Sequence, residues 1–289
     1  MRWVRSWFEV LPLNRAVELL YAGRIPSRAL AITFDDGYAD NEELAAPILQ
    51  SLGMTATFFV STGFLDGACM WNDKVIESVR ACRAEQIDLG DLGLGAHSLA
   101  SVSLRRQVIS KLLEQIKHLE PDRRVAVTQA VMERAGLAEA PSLMMRPEKV
   151  RRLRALGMDV GAHTVTHPIL TRLNRPAAQD EMAQSKRHLE AILGESISLF
   201  AYPNGVPDQD YAAEHLDMVR QCGFSAAVST AWGAASMRSD RYQLPRFTPW
   251  DRTRLRYGAR LLGNLGGTEQ RVATRTEASP SAGVGSAPG

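Results

Sequence analysis

Cysteine is scarce in this chain: Cys69, Cys82 and Cys222 are the whole supply in 289 residues. An odd number at these spacings fits neither a disulfide framework nor a zinc knuckle nor a Cys-x-x-Cys redox pair, and points to reduced thiols. An excess of charge of one sign is missing too. The formal net charge is +2, which excludes the global electropositive field of a general nucleic-acid binder. Lysine is rare, 5 residues against 29 arginines, a bias that reads as genomic composition before chemistry. No apolar run approaches the roughly 18–20 residues of a membrane span. Residues 1–9 lack the apolar stretch of roughly 7–15 residues and the small-residue cleavage site of a signal peptide. The expectation is a soluble protein with no transmembrane segment and no nucleic-acid partner, cytoplasmic, with the periplasm as the alternative.

What is present is core-forming material, 45% apolar residues, in alternating segments. Residues 6–22 have helical spacing. Ala29–Phe34 is a short apolar strand, Asp40–Leu52 a helix and Thr55–Val60 a second strand, the order that gives parallel pairing with a right-handed crossover. After Pro147–Leu156 (helix), Met158–Ala162 (strand), Ala177–Leu193 (helix) and Ser198–Ala201 (strand) come a helix over Tyr211–Cys222 and a strand over Ala226–Ser229. An edge strand follows near Tyr242–Phe247. Residues 74–140 differ: long amphipathic stretches, three glycines (Gly90, Gly93, Gly95) and no clear strand predict a mostly helical insertion. Residues 1–265 are expected to form one barrel domain. Residues 266–289, rich in Gly, Ser, Thr, Ala and Pro, are expected to be a disordered tail.

Chemistry concentrates just after predicted strands. Thr33-Phe34-Asp35-Asp36-Gly37 follows the first, and His163-Thr164-Val165-Thr166-His167 follows another. Asp-Gly is a common turn pair, yet adjacent carboxylates repel unless a cation or donors compensate. Two histidines four apart face the same way on a helical turn. One carboxylate and two imidazoles leave a divalent metal with an open position, and a second carboxylate beside them can serve as base. Those parts describe a metal-dependent hydrolase. Thr164 and Thr166 are candidates for hydroxyls behind the ligands. Trp71, expected on a strand-end loop, either stacks on a sugar face or caps the barrel core. His118, His188 and His215, on predicted helices, read as surface or packing residues. Two arginine clusters, Arg151/Arg152/Arg154 and Arg252/Arg254/Arg256/Arg260, read as solvated faces, with peripheral docking to anionic lipid as the weaker alternative.

TFDDGYADN, HTVTHPIL and Phe200-Ala201-Tyr202-Pro203-Asn204-Gly205, in that order, resemble the polysaccharide deacetylases, the NodB-like carbohydrate esterases of family four. The resemblance covers roughly residues 28–62 and 144–247. It implies a distorted, incomplete parallel (β/α) barrel and a metal-dependent N-deacetylase acting on an N-acetylated amino sugar of a glycan or glycolipid. It assigns Asp36, His163 and His167 to the metal, zinc by family habit, and Asp35 to the base. It gives the backbone N–H of Asn204 to the oxyanion, and Tyr202 and Pro203 to the substrate border. Two departures stand out. Ala201 occupies the place where many members carry an Arg that steadies the base, and Arg246 is the candidate substitute, with a plain surface arginine as the alternative. No histidine follows His215, so the C-terminal Leu-x-His that supplies the family's general acid is absent. The other readings are a weak or silent carbohydrate-binding scaffold and a deacylase of a small amide. The insertion is expected to cover one side of the metal cleft, its amphipathic helices packing on the apolar barrel rim.

Overall fold

A proline decides how the chain begins. The helical spacing over residues 6–22 runs through Pro12, which has no N–H to donate to a helix and disfavours the helical conformation of the residue before it. The computed structural model, which describes residues 1–248, 251–265 and 272–274, therefore shows two helices. α1 (Arg2–Trp7) ends at extended Phe8, β1 (Glu9–Val10) follows, and α2 (Leu13–Tyr21) starts with Pro12 as its cap. The expected strand over 29–34 is also two. β2 (Ala29–Leu30) pairs with β1, while β3 (Thr33–Phe34) belongs to the main sheet.

A π-helical turn (Asn41–Ala45) leads into α3 (Ala46–Ser51), and β4 (Thr57–Val60) is buried along its whole length. α4 (Trp71–Ala81) opens the insertion, so Trp71 begins a helix and is not a loop residue. The insertion also contains what the glycines concealed: β5 (Gln86–Leu89) and β6 (Gly95–Ser98), an antiparallel hairpin whose connection uses Gly93 and Gly95 at φ 75° and 84°. Four-residue strands around left-handed glycines carry too little periodicity to be read directly. α5 (Val102–Lys117) is capped by Ser101, which accepts from the Leu104 N–H, and α6 (Pro121–Ala135) ends at left-handed Gly136. The apolar faces of α4, α5, α6 and the hairpin meet one another in a separate cluster that includes Val75, Leu89, Leu112, Ile116 and Val131. Those faces were expected on the barrel rim; they close on each other instead, because together they complete a small core.

The barrel resumes with α7 (Pro147–Ala155), β7 (Asp159–Ala162), α8 (Arg175–Leu193), β8 (Leu199–Ala201), α9 (Ala213–Gln221), β9 (Ala226–Val228) and α10 (Arg254–Leu265). The main sheet has the order β3-β4-β7-β8-β9, every neighbouring pair parallel. It is a half-barrel with helices around it, as short apolar strands alternating with amphipathic helices require. The expected edge strand at 242–247 is reduced to one parallel bridge, Val228 to Leu244, since Pro245 has no donor with which to continue a ladder. The core beneath the sheet holds Phe58, Val60, Ala162, Phe200 and Met182. No described helix is long and apolar enough to cross a membrane. Most of the expected disordered tail lies outside the described residues. Residues 272–274 are the exception, and there Ala273 is buried and donates its N–H to Gln243 Oε1 at 2.9 Å.

The arginine clusters differ from free basic faces. Arg151 donates to the Ile192 carbonyl, Arg152 pairs with Glu42, and Arg154 pairs with both Asp159 and Glu195. Arg254 lies over the Trp7 ring and Arg260 pairs with Asp251.

Candidate metal centre and catalytic cleft

Three loops leave the carboxyl ends of β3, β7 and β8 and converge. Each carries a backbone that side-chain-bearing residues avoid: Asp36 at φ 75°, Thr164 at 63°, His167 at 54° and Asn204 at 58°. Left-handed conformations at non-glycine residues cost energy and persist where the surroundings over-determine them, as at active sites. The His163–His167 loop is therefore not the helical turn that the four-residue spacing suggests. It is an irregular loop that folds back on itself. Thr164 Oγ1 accepts from the His167 N–H at 3.1 Å. Glu181 of α8 accepts from the N–H groups of Val165 and Thr166 at 2.8 and 2.9 Å and from Thr166 Oγ1 at 2.7 Å. Thr164 and Thr166 thus shape the loop, and Glu181, which no motif flagged, anchors it from 16 residues away.

Asp36 Oδ1 lies 3.4 Å from His163 Nε2 and 3.3 Å from His167 Nε2, and the ligand atoms of all three lie within 4.8 Å of one another. His163 is fully enclosed, with its Nδ1 2.7 Å from the Ala201 carbonyl. A carbonyl only accepts, so Nδ1 carries the hydrogen and the Nε2 lone pair faces the carboxylate. Acceptor atoms converging at these distances favour a positive charge among them, a proton or a metal ion, and the donor set, one carboxylate and two imidazoles, suits a divalent metal. The proton affinities agree. Burial opposes charge on His163, but the hydrogen bond and charge of Asp36, with Asp35, outweigh it and hold its pKa above the usual value. Burial, then the charge on His163, pushes His167 down to about 4. The cluster accommodates one positive charge well and a second poorly.

Asp35 points the other way, as adjacent residues at a strand end do. Arg246 grips it with both terminal nitrogens, Nη1 to Oδ1 and Nη2 to Oδ2, each at 2.7 Å. The guanidinium is itself fixed: Nε donates to the Ser229 carbonyl at 2.8 Å and Nη1 reaches Thr33 Oγ1 at 3.2 Å. Burial alone would raise the Asp35 carboxyl. The charge and hydrogen bonds of Arg246, helped by both histidines, reverse this and bring it to about 2. The position is occupied by Ala201, whose carbonyl instead orients His163, so the arginine arrives from a neighbouring strand end.

Asn204 borders the cleft, and among the described residues its N–H has no protein acceptor. The expectation for Tyr202 and Pro203 is corrected: both are buried. Tyr202 stacks on Tyr211 with centroids 4.0 Å apart and donates its hydroxyl to the Tyr242 carbonyl at 2.9 Å. An aromatic beside a strand end looks alike in sequence whether it faces substrate or core, and here the turn directs it inward.

The cleft, about 500 Å³, is bordered by Asp36, His167 and Asn204 on the barrel side and by residues of the insertion on the other, among them Trp71, Leu113, Lys117 and Arg124. His118, read as a surface or packing residue, also lines it, since α5 ends at the cleft. His188 is an exposed surface residue, 3.0 Å from Thr62 Oγ1, and His215 is a buried packing residue that accepts from the Ala212 N–H. Behind Trp71, Tyr38 donates its hydroxyl to the buried Asp73 carboxylate at 3.0 Å. Burial lifts Asp73 against that bond, with Asp36 adding to the rise, to about 6. Tyr38 sits two residues after Asp36 and Asp73 two after Trp71, so both lay inside recognised stretches without a sign of their pairing.

Comparison with known proteins places this geometry. The family model described as polysaccharide deacetylase matches residues 22–227. YxkH of Bacillus subtilis strain 168, a polysaccharide deacetylase by name, is 23% identical over 248 residues, covering 85% of this chain. The chain spans 61% of the length of that relative. Among solved structures, the Streptococcus pyogenes deacetylase PplD in complex with acetate superposes with a TM-score of 0.55 at 18% identity, covering 85% of this chain and 76% of its own. IcaB from Ammonifex degensii gives 0.54 at 18%, covering 89% and 82%. At such identities the superpositions speak for the fold, and the sequence model speaks for the family. With the half-barrel, the three strand-end loops and the match over most of its length, this chain belongs to the polysaccharide deacetylase family.

Proposed function

We propose that the protein hydrolyses the N-acetyl group of an amino sugar within a polysaccharide, oligosaccharide or glycolipid. The observation that carries this reading is an ionised carboxylate, Asp35, clamped by Arg246 directly beside the Asp36–His163–His167 cluster. A pure carbohydrate-binding module has no use for a fixed base beside a metal site.

Asp36, His163 and His167 would hold the metal, zinc by the character of the donors. When bound, such an ion polarises the amide carbonyl and acidifies the attacking water. Asp35, held ionised, accepts the proton of that water. The N–H of Asn204, a residue at the cleft border with left-handed backbone, donates to the oxygen that gains charge as the carbonyl is attacked. Breakdown of the C–N bond releases acetate. The departing amine takes up a proton, which Asp35 in its carboxylic acid form returns. His118, across the cleft, is the other group of this chain placed to give it.

The test is acetate release from N-acetylglucosamine oligomers by zinc-loaded protein, with stoichiometric appearance of free amine. Binding of the oligomers with no acetate released would leave the scaffold reading in its place.

A further inference from the structure

Arg124 has no role in the chemistry above, and its surroundings are unusual. It sits in the first turns of α6 with 7% of its surface exposed. Its guanidinium lies over the Trp71 ring, 5.4 Å from the centroid, and it borders the same cleft as Asp36, His167 and Asn204. Taking a guanidinium out of water is unfavourable unless a counter-charge or acceptors replace the solvent. Among the described residues no carboxylate pairs with Arg124 and no acceptor takes a hydrogen bond from its side chain. Glu181 is the acid whose charge it feels, but both oxygens of Glu181 are engaged by Val165 and Thr166. Lys117 adds a second cation on the same wall, against the exposed carboxylate of Glu114. The insertion therefore presents a pre-positioned guanidinium with no bonded acceptor among the described residues to whatever enters.

An N-acetyl sugar is neutral at its acetamide, so the matching charge has to come from the group attached to it. We propose that Arg124 is the specificity residue for a substrate bearing an anionic group, a carboxylate or a phosphate, on the unit adjoining the N-acetylated sugar. The proposal rests on the deacetylase reading and deepens it. Trp71 serves as the flat surface that holds the guanidinium in place, so that its paired N–H groups meet two oxygens at once, the arrangement in which arginine outperforms lysine. The opposed walls divide the labour: barrel loops for the amide, insertion for the charge.

Three matched substrates test this with the full-length, zinc-loaded protein: a neutral N-acetylglucosamine disaccharide, the same sugar linked to a uronic acid, and the same sugar carrying an anomeric phosphodiester. The expected result is a kcat/KM at least about tenfold higher for one anionic substrate than for the neutral one, the scale of a charge-assisted hydrogen bond. The preferred anionic arm identifies whether a glycan carboxylate or a phosphate linkage supplies the charge. Arg124→Gln should bring the ratio to about one, and Arg124→Lys should keep part of it. If Arg124 merely braces Trp71, the variants lose activity on all three substrates alike and the ratio stays put. That result, or a wild-type ratio within about twofold, overturns the proposal. Should Arg124→Gln fail to fold, the wild-type ratio and the Lys variant still decide. If no substrate yields acetate, the deacetylase reading fails by itself. Calorimetric binding of the same three sugars then judges Arg124: tenfold tighter anionic binding, lost in the Gln variant, sustains it, and equal binding ends it.

Discussion

Replacing Arg246 by Ala tests the most specific electrostatic feature of the site. Asp35 falls from an ordinary 3.8 to about 2 although burial pushes it the other way, so the guanidinium has to overcome desolvation as well as supply the net shift. A drop of that size corresponds to about 2 kcal/mol favouring the ionised form. Because the folded value is the lower one, this contribution is fully present above the unfolded carboxyl's range and is lost as pH falls through about 2. An adjacent Arg depresses an Asp by roughly 1–3 units. Without it, Asp35 should titrate near pH 3–5, bringing the acidic limb of kcat/KM up into an accessible range. The sign gives a sharp pattern. At pH 7 Asp35 would still be ionised, so protonation alone costs little there, and the deficit should grow tenfold per unit below the new pKa. Folding should suffer by between about 1.5 kcal/mol, one lost charge-assisted bond, and the roughly 3–5 kcal/mol of a broken, fully buried pair, since Asp35 keeps 29% of its side chain exposed. The assay is acetate release from pH 3 to 9 with zinc content measured in parallel. A variant that retains zinc and loses the same factor at every pH would refute the claim that Arg246 sets the ionisation of Asp35.

Asp36→Ala and His163→Ala should each lose most of the bound zinc by elemental analysis, and chelation of the wild type should lower its melting temperature, because binding to the native state stabilises it; near-stoichiometric zinc in either variant removes that residue from the ligand set. Asp35→Asn should keep the metal yet lose at least about 10²-fold in turnover, the lower end of a general base's contribution; a rate near wild type would dismiss it as the base. Glu181→Ala should weaken metal affinity by about 10–100-fold, as outer supports of ligands do, because it frees the loop between His163 and His167; unchanged affinity would mean the loop holds itself.

The three motifs were legible because each stands at the end of a short, largely apolar strand, and because carboxylates and imidazoles in such places need a reason to be there. Arg246 was legible only through a gap, the Ala201 that leaves Asp35 without its expected arginine. Tyr202 and Tyr38 show the limit. Side by side with the motifs, one turns into the core and the other donates to Asp73, and nothing in a linear pattern says which, since the φ sign of a neighbouring loop residue decides. At the start of the chain Pro12 overrides the apolar spacing and divides one helical pattern into two helices, and in the insertion glycines that look like breaks form the turn of a hairpin.

By itself the sequence determined the alternation of strand and helix, the family, and the carboxylates and histidines of the proposed site, because those depend on periodicity and on local residue type. The tertiary structure alone decided which partners those groups have. Arg246 reaches Asp35 across 211 positions, Glu181 holds a loop from the next helix, and Arg124 and His118, on an insertion with its own core, line the same cleft as Asp36 and His167. Such pairings depend on how elements pack in space, where separation along the chain places no constraint on distance.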